Sequence, residues 1–148
     1  MSETLTRILI HIVFGTKNRE PLITPEIRDQ LYGYIRGILH RREATLLAIG
    51  GMPDHVHLLV QIDTRTSLGD LVQHIKGGSS KRIKENSAPS FYWQRGYGAF
   101  SVSESNLVVV QRYIRNQERH HAHISFDREL IKLLTRHRVP FKERDLRE

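Results

Sequence analysis

His55 and His57 stand two apart in the run Asp54-His55-Val56-His57-Leu58-Leu59-Val60. On a strand, residues two apart share a face, so both imidazoles point one way. Val56, Leu58, Val60 and Ile62 then point the other way, toward a core. Two adjacent imidazoles can hold one metal ion in a way that one cannot; a pair of exposed histidines on a half-solvated strand is the plainer alternative. Tyr113 and Gln117 stand four apart in Gln111-Arg112-Tyr113-Ile114-Arg115-Asn116-Gln117. On a helix that spacing is one turn, so a phenol and an amide face one side. The alternative is a tyrosine packed at the margin of the core. His120, His121 and His123 follow; they could bind metal, although histidines near a helix C-terminus are commonly surface groups that the dipole favours.

A third group is basic. Lys76, Lys81, Arg82, Lys84, Arg95, Arg112, Arg115 and Arg119 are interleaved with Phe91, Tyr92, Trp93 and Tyr97. Cations for phosphates together with flat side chains for stacking suit single-stranded nucleic acid. The chain carries 23 Lys and Arg against 16 Asp and Glu, a net of +7. Residues 1–74 hold 8 basic and 8 acidic residues, and residues 75–148 hold 15 and 8, so the whole excess sits in the second half. Such asymmetry points to a polyanion surface, with a solvated basic face as the bland alternative.

These groups need a scaffold. Thr4 to Phe14 alternates with period two and reads as a strand. Thr24-Pro25 opens a helix with a capping hydroxyl and a proline in its first turn, and Ile27, Leu31, Ile35, Ile38 and Leu39 carry it to about Arg41. Ala44 to Ile49 is a short strand, Gly50 to Asp54 a turn cluster, and His55 to Ile62 a strand. Ser67 and Asp70 form a capping box for a helix with Leu68, Leu71, Val72, Ile75 and Ile83 on its buried side. Gly77-Gly78 within it marks either a break or a close approach of another element. Phe91 to Gly98 is a structured loop and Ala99 to Ser103 a strand. Ser105 caps a helix over about Asn106 to Arg119, and a last helix over about Asp127 to His137 buries Leu130, Ile131, Leu133 and Leu134 before Pro140. The order predicts an α+β, ferredoxin-like antiparallel sheet with helices on one face and a tyrosine-bearing helix.

Length and composition bound the rest. A chain of 148 residues, 39% hydrophobic, suits a single domain spanning 1–148 with a real core. Cysteine is absent, which excludes disulfides, thiolate zinc sites and a cysteine nucleophile. No apolar run reaches membrane-spanning length and the first residues lack a signal-peptide pattern, so no membrane partner and a cytoplasmic location are expected.

Four stretches together resemble one family. They are GGMPDHVHLLV at 50–60, LVQHIKGGSSKRI at 71–83, FYWQRGYGAFSVS at 91–103 and VQRYIRNQERHH at 110–121. They are similar to the single-tyrosine transposases of small insertion sequences, within the HUH nuclease superfamily, including the relatives associated with genomic repeat palindromes. The resemblance covers nearly the whole chain. It implies that His55 and His57 are the metal-binding pair, Gln117 the third ligand and Tyr113 the nucleophile. It further implies a homodimer acting on single-stranded DNA with hairpin ends, through a 5′-phosphotyrosine link and a free 3′-hydroxyl. In known members the tyrosine helix can complete the partner subunit's site; residue identity leaves the arrangement here open.

The chemistry fits those roles. Phosphodiester cleavage needs neutralised phosphate charge and an in-line nucleophile. Two nitrogens and an amide oxygen with open positions suit Mg²⁺ or Mn²⁺, and zinc less, for want of a placed third histidine. A free phenol titrates at about 10, so about 0.1% is phenolate at neutral pH, and local cations such as Arg112 and Arg115 must help. A non-catalytic single-strand-binding module and a metal hydrolase built on the histidine cluster are the competing readings.

Overall fold

Leu9, Val13 and His11 alternate with Ile10, Ile12 and Phe14, and that alternation sets the centre of the molecule. In the structure, a computed structural model describing residues 1–147, this segment is strand β1, Ile8–Gly15. Helix α1 is Pro25–Arg41, β2 is Thr45–Met52, β3 is His55–Ile62 and α2 is Leu68–Asn86. Then come β4, Gly98–Val102, and three helices: α3, Leu107–Arg115; α4, Gln117–His121; α5, Phe126–Arg136. The sheet order is β2-β3-β1-β4 and its three pairings are antiparallel, the ferredoxin-like α+β arrangement expected.

Both faces of the sheet are covered. Ile12, Phe14, Val56, Leu58 and Val60 pack under Leu31, Ile35, Leu39, Leu71, Ile75 and Ile83 of α1 and α2. Burying each such side chain contributes about 1.5–3 kcal/mol. On the other face Leu59 and Ala48 pack against Ile114 of α3, and Val13 and Phe100 against Phe126 and Leu133 of α5. The candidate site lies under this second layer.

Several boundaries differ from the sequence reading. β1 begins at Ile8, not Thr4. Gly50, Gly51 and Met52 are not a turn but the end of β2, and only Pro53 and Asp54 make the turn. A Cβ on Gly50 would collide with the Ile114 carbonyl oxygen, so this glycine lets α3 close onto the sheet rather than bending the chain. The glycines of α2 do not break it. Gly78 sits where a Cβ would come 2.8 Å from Ile38 Cδ1, so α1 packs closely there. The helix expected over Asn106 to Arg119 is split at Asn116 (φ −100°, ψ 26°) into α3 and α4. Ser105 does not cap it; Ser103 precedes a 3-10 turn, Glu104–Asn106, that leads into α3. Ile131, assigned to the buried side of the last helix, is exposed.

Candidate active site

The hairpin between β2 and β3 puts His55 and His57 on the second face, and both side chains are fully buried. Gly50 pairs with His57 and Met52 with His55, so the glycine that admits α3 lies beside the histidine pair. Tyr113 and Gln117 thus descend onto that pair despite the break at Asn116. Gln117 Oε1 lies 3.0 Å from His55 Nε2, and the Tyr113 and His57 rings meet edge to face at 5.7 Å between centroids.

At the centre stands Glu129, buried, from α5. Its Oε1 lies 2.8 Å from His57 Nε2, 3.0 Å from His121 Nε2 and 3.2 Å from His55 Nε2. Its Oε2 accepts hydrogen bonds from Tyr113 Oη and, at 3.0 Å, from Gln117 Nε2. Helix α5 is started by Ser125, whose hydroxyl accepts from the Arg128 amide, and is fixed by Phe126 stacked flat on His55 with centroids 4.0 Å apart. Phe126, Glu129 and Leu133 lie on one side at helical spacing, and that side faces the sheet.

The outward nitrogens are held. His55 Nδ1 lies 2.7 Å from Asp54 Oδ1, His121 Nδ1 lies 2.5 Å from the Ile124 carbonyl oxygen, and His57 Nδ1 lies 2.8 Å from His11 Nε2. Neutral His55 and His121 that donate outward present bare Nε2 lone pairs inward, against the lone pairs of Glu129. Lone pairs converging on lone pairs are a donor set for a cation. Ligand atoms of His55, His57, His121 and Glu129 all lie within 4.8 Å of one another. Outward hydrogen bonds of this kind are how metal-binding histidines are oriented.

Titration follows the same geometry. Burial lowers His55, but the Asp54 and Glu129 carboxylates outweigh it and hold it above the ordinary histidine value. For His57 burial wins and the value falls. His11, buried and facing His57, is pushed down to about 3. Glu129 is held well below the carboxylate range: its histidine partners outweigh its burial. Tyr113 is raised above the ordinary phenol value, first by burial and then by its bond to Glu129.

The site therefore gathers His55, His57, Tyr113 and Gln117, and adds Glu129, His121 and His11, which the sequence reading did not assign. His121 is a third imidazole, which removes the stated ground for disfavouring zinc. His120 flanks Tyr113 at 5.1 Å between centroids, and His123 is exposed outside the cluster.

The eight cations do not form one patch. Lys81, Arg82 and Lys84 belong to α2 on the first face, and Arg112, Arg115 and Arg119 are exposed on α3 and α4 over the second. Arg95 is exposed in the loop before β4. Lys76 is half-buried and donates to the carbonyls of Gln94 and Gly96 at 2.6 and 2.7 Å, so it fastens that loop. Phe91 and Trp93 are core or core-margin groups, whereas Tyr92 and Tyr97 are exposed.

Comparison with known proteins gives the chain a family. The family described as "Transposase IS200 like" matches residues 4–117. The ISDra2 transposase TnpA of Deinococcus radiodurans is 29% identical over 114 residues, covering 72% of this chain and 81% of that protein. The transposase for insertion sequence element IS200 of Salmonella typhimurium is 27% identical over 114 residues, covering 72% and 74%. A solved transposase structure from Deinococcus radiodurans R1 matches with TM-score 0.65 and 28% identity, over 79% of this chain and 98% of that one. A REP-associated tyrosine transposase bound to a REP hairpin matches with TM-score 0.63 over 84% of this chain and 76% of that one; at 15% identity the likeness is one of fold. The chain belongs to the IS200-like transposase family. His121 and Glu129 lie beyond the matched residues.

Proposed function

We propose that this transposase cleaves and rejoins single-stranded DNA at insertion-sequence ends, with Tyr113 as nucleophile and His55, His57 and Gln117 as ligands of a divalent ion, Mg²⁺ or Mn²⁺. One observation carries the reading: the Tyr113 hydroxyl and the inward nitrogens of the histidine pair meet at the same buried carboxylate, Glu129. His121 and Glu129 fit the same donor set. When bound, the ion supplies positive charge that offsets Glu129 and stabilises charge on the phosphate oxygens. Imidazole-rich sets favour Mn²⁺ over Mg²⁺, and cellular abundance favours Mg²⁺.

The residues do the remainder. Glu129 Oε2 fixes the Tyr113 oxygen by accepting its hydrogen bond. Burial and the Glu129 charge hold Tyr113 as a neutral phenol. The Tyr113 oxygen then bonds to phosphorus while the bond from phosphorus to the 3′-oxygen breaks. The strand end leaves as a 3′-hydroxyl, its oxygen taking up the proton that Tyr113 gives up, and the other end stays as a 5′-phosphotyrosine. Attack by a 3′-hydroxyl of another strand reverses the step and needs no external energy, because the covalent intermediate conserves the bond.

Hairpin ends, a homodimer and a cytoplasmic location are parts of this proposal. The nucleophile faces the histidine pair of its own chain. The fold likeness to the protein bound to a REP hairpin supports hairpin recognition, and genomic palindromes as substrate are the variant of this reading. Labelled single strands spanning the DNA on either side of the gene test it. A denaturation-resistant protein–DNA band supports the proposal. A mobility shift without that band would mean a binding module, and free cleaved products a hydrolase.

A further inference from the structure

We propose that the single strand crosses Tyr113 from an open groove on α3 and α4 into a pocket under α5, where Lys132 and Arg136 bind the phosphate of the adjoining nucleotide. The proposal rests on the strand-transfer reading above and names the substrate path of the same site.

Two cavities meet at the nucleophile. The groove, about 340 Å³, is lined by Arg112, Asn116 and Arg119. The pocket, about 370 Å³, lies between α3, β4 and α5 and reaches Glu129. Val109, Tyr113 and His120 line both, so a chain passing from one to the other runs over the Tyr113 ring. The pocket has the volume of a small-molecule site, which suits one nucleotide.

Its chemistry is divided as a nucleotide requires. Lys132 and Arg136, four apart, share one side of α5 and line the pocket. Among the described residues neither is in an ion pair, whereas Arg19 and Arg147 are both engaged by Asp127 of the same helix. The opposite wall, Val109 and Val110, is apolar and suits the face of a base. Both cations lie beyond the residues matched by the family, and neither is in the basic set singled out from the sequence. Lys81 and Arg82 are carried by α2, which packs on the other face of the sheet.

Binding tests the path without cleavage. In a Tyr113→Phe background, the probe is a short fluorescein-labelled oligothymidylate, followed by anisotropy over a range of salt. Lys132→Ala with Arg136→Ala should weaken binding about tenfold or more and lower the salt slope by about 0.7, the contribution of the one phosphate no longer neutralised. Arg36→Ala with Arg41→Ala, exposed on α1 over the other face, should change neither. The charge-conserving pair Lys132→Arg and Arg136→Lys should keep the slope, which separates lost charge from a disturbed α5. Unchanged affinity and slope in the alanine pair, an equal loss in the α1 pair, or no binding by Tyr113→Phe itself would each overturn the proposal. An intact binding result beside a wild-type protein that forms no adduct would instead count against the strand-transfer reading.

Discussion

Strand β3 serves two different layers with alternate residues. Val56, Leu58 and Val60 are fully buried against α1 and α2, and His55 and His57 are just as fully buried against α3, α4 and α5. Burial is equal; what holds the groups in place is not. The first layer is apolar, and its cohesion comes from area removed from water. In the second, a phenol and an amide donate to Glu129 and three imidazoles converge on it, so each group is held by its polar neighbours. Damage to the first layer should lower stability, while damage to the second should remove chemistry.

The sharpest contrast comes from neighbouring residues of β3. His57→Ala should abolish adduct formation, with a stability cost of about 1–3 kcal/mol from the unpartnered groups it leaves. Leu58→Ala should cost about 2–5 kcal/mol while the folded fraction still forms adduct. Urea unfolding alongside a gel assay checks both. Loss of activity in Leu58→Ala at full folding would erase the distinction between the layers.

Gly50→Ala attacks the junction. Its methyl group would meet the backbone of Ile114, which cannot swing aside as a side chain can. A cost of about 1–3 kcal/mol is expected, with a loss of adduct larger than that of stability, because α3 carries Tyr113. Equal melting and equal adduct would show that the close approach is unimportant.

Acid should act on the second layer first. His11 titrates near 6.5 when unfolded and only at about 3 when folded. As pH falls through that window the unfolded chain takes a proton that the folded chain refuses, so stability falls, by at most about 1.4 kcal/mol per pH unit. Glu129, depressed in the fold, acts in the same direction below its unfolded value. His11→Gln should flatten the decline of melting temperature below about pH 6.5; a decline as steep as in the wild type would assign it elsewhere.

The smallest effect belongs to the first layer's helix. Gly77 has open space where a methyl group would stand, with nothing within 4 Å, and no positive φ. Gly77→Ala should stabilise by about 0.4–1 kcal/mol and leave activity alone. Gly78→Ala, 2.8 Å from Ile38, should not stabilise.

The strands and the two long helices are legible in the sequence because their apolar periods are clean, as in Leu31, Ile35 and Leu39. The shared face of His55 and His57 follows from period two, and the approach of Tyr113 to Gln117 from one helical turn. Glu129 escapes notice because Leu130 and Ile131 phase the last helix wrongly. Phased on Phe126, the same stripe runs through 129, 130 and 133 and places a carboxylate among core residues. His11 shows the same difficulty, since nothing local says that its face of β1 is roofed by α5. The break at Asn116 has no proline or glycine to announce it, and the partition of the cations between two faces is a matter of packing alone.

Mapping the covalent adduct tests the central claim, that the second layer is the seat of chemistry. After proteolysis of the protein–DNA band, mass spectrometry should place the nucleotide on Tyr113, joined through its 5′-phosphate, and Tyr113→Phe should give no band while keeping its fold. An adduct that persists in Tyr113→Phe, or that maps to the exposed Tyr92 or Tyr97, would contradict the account.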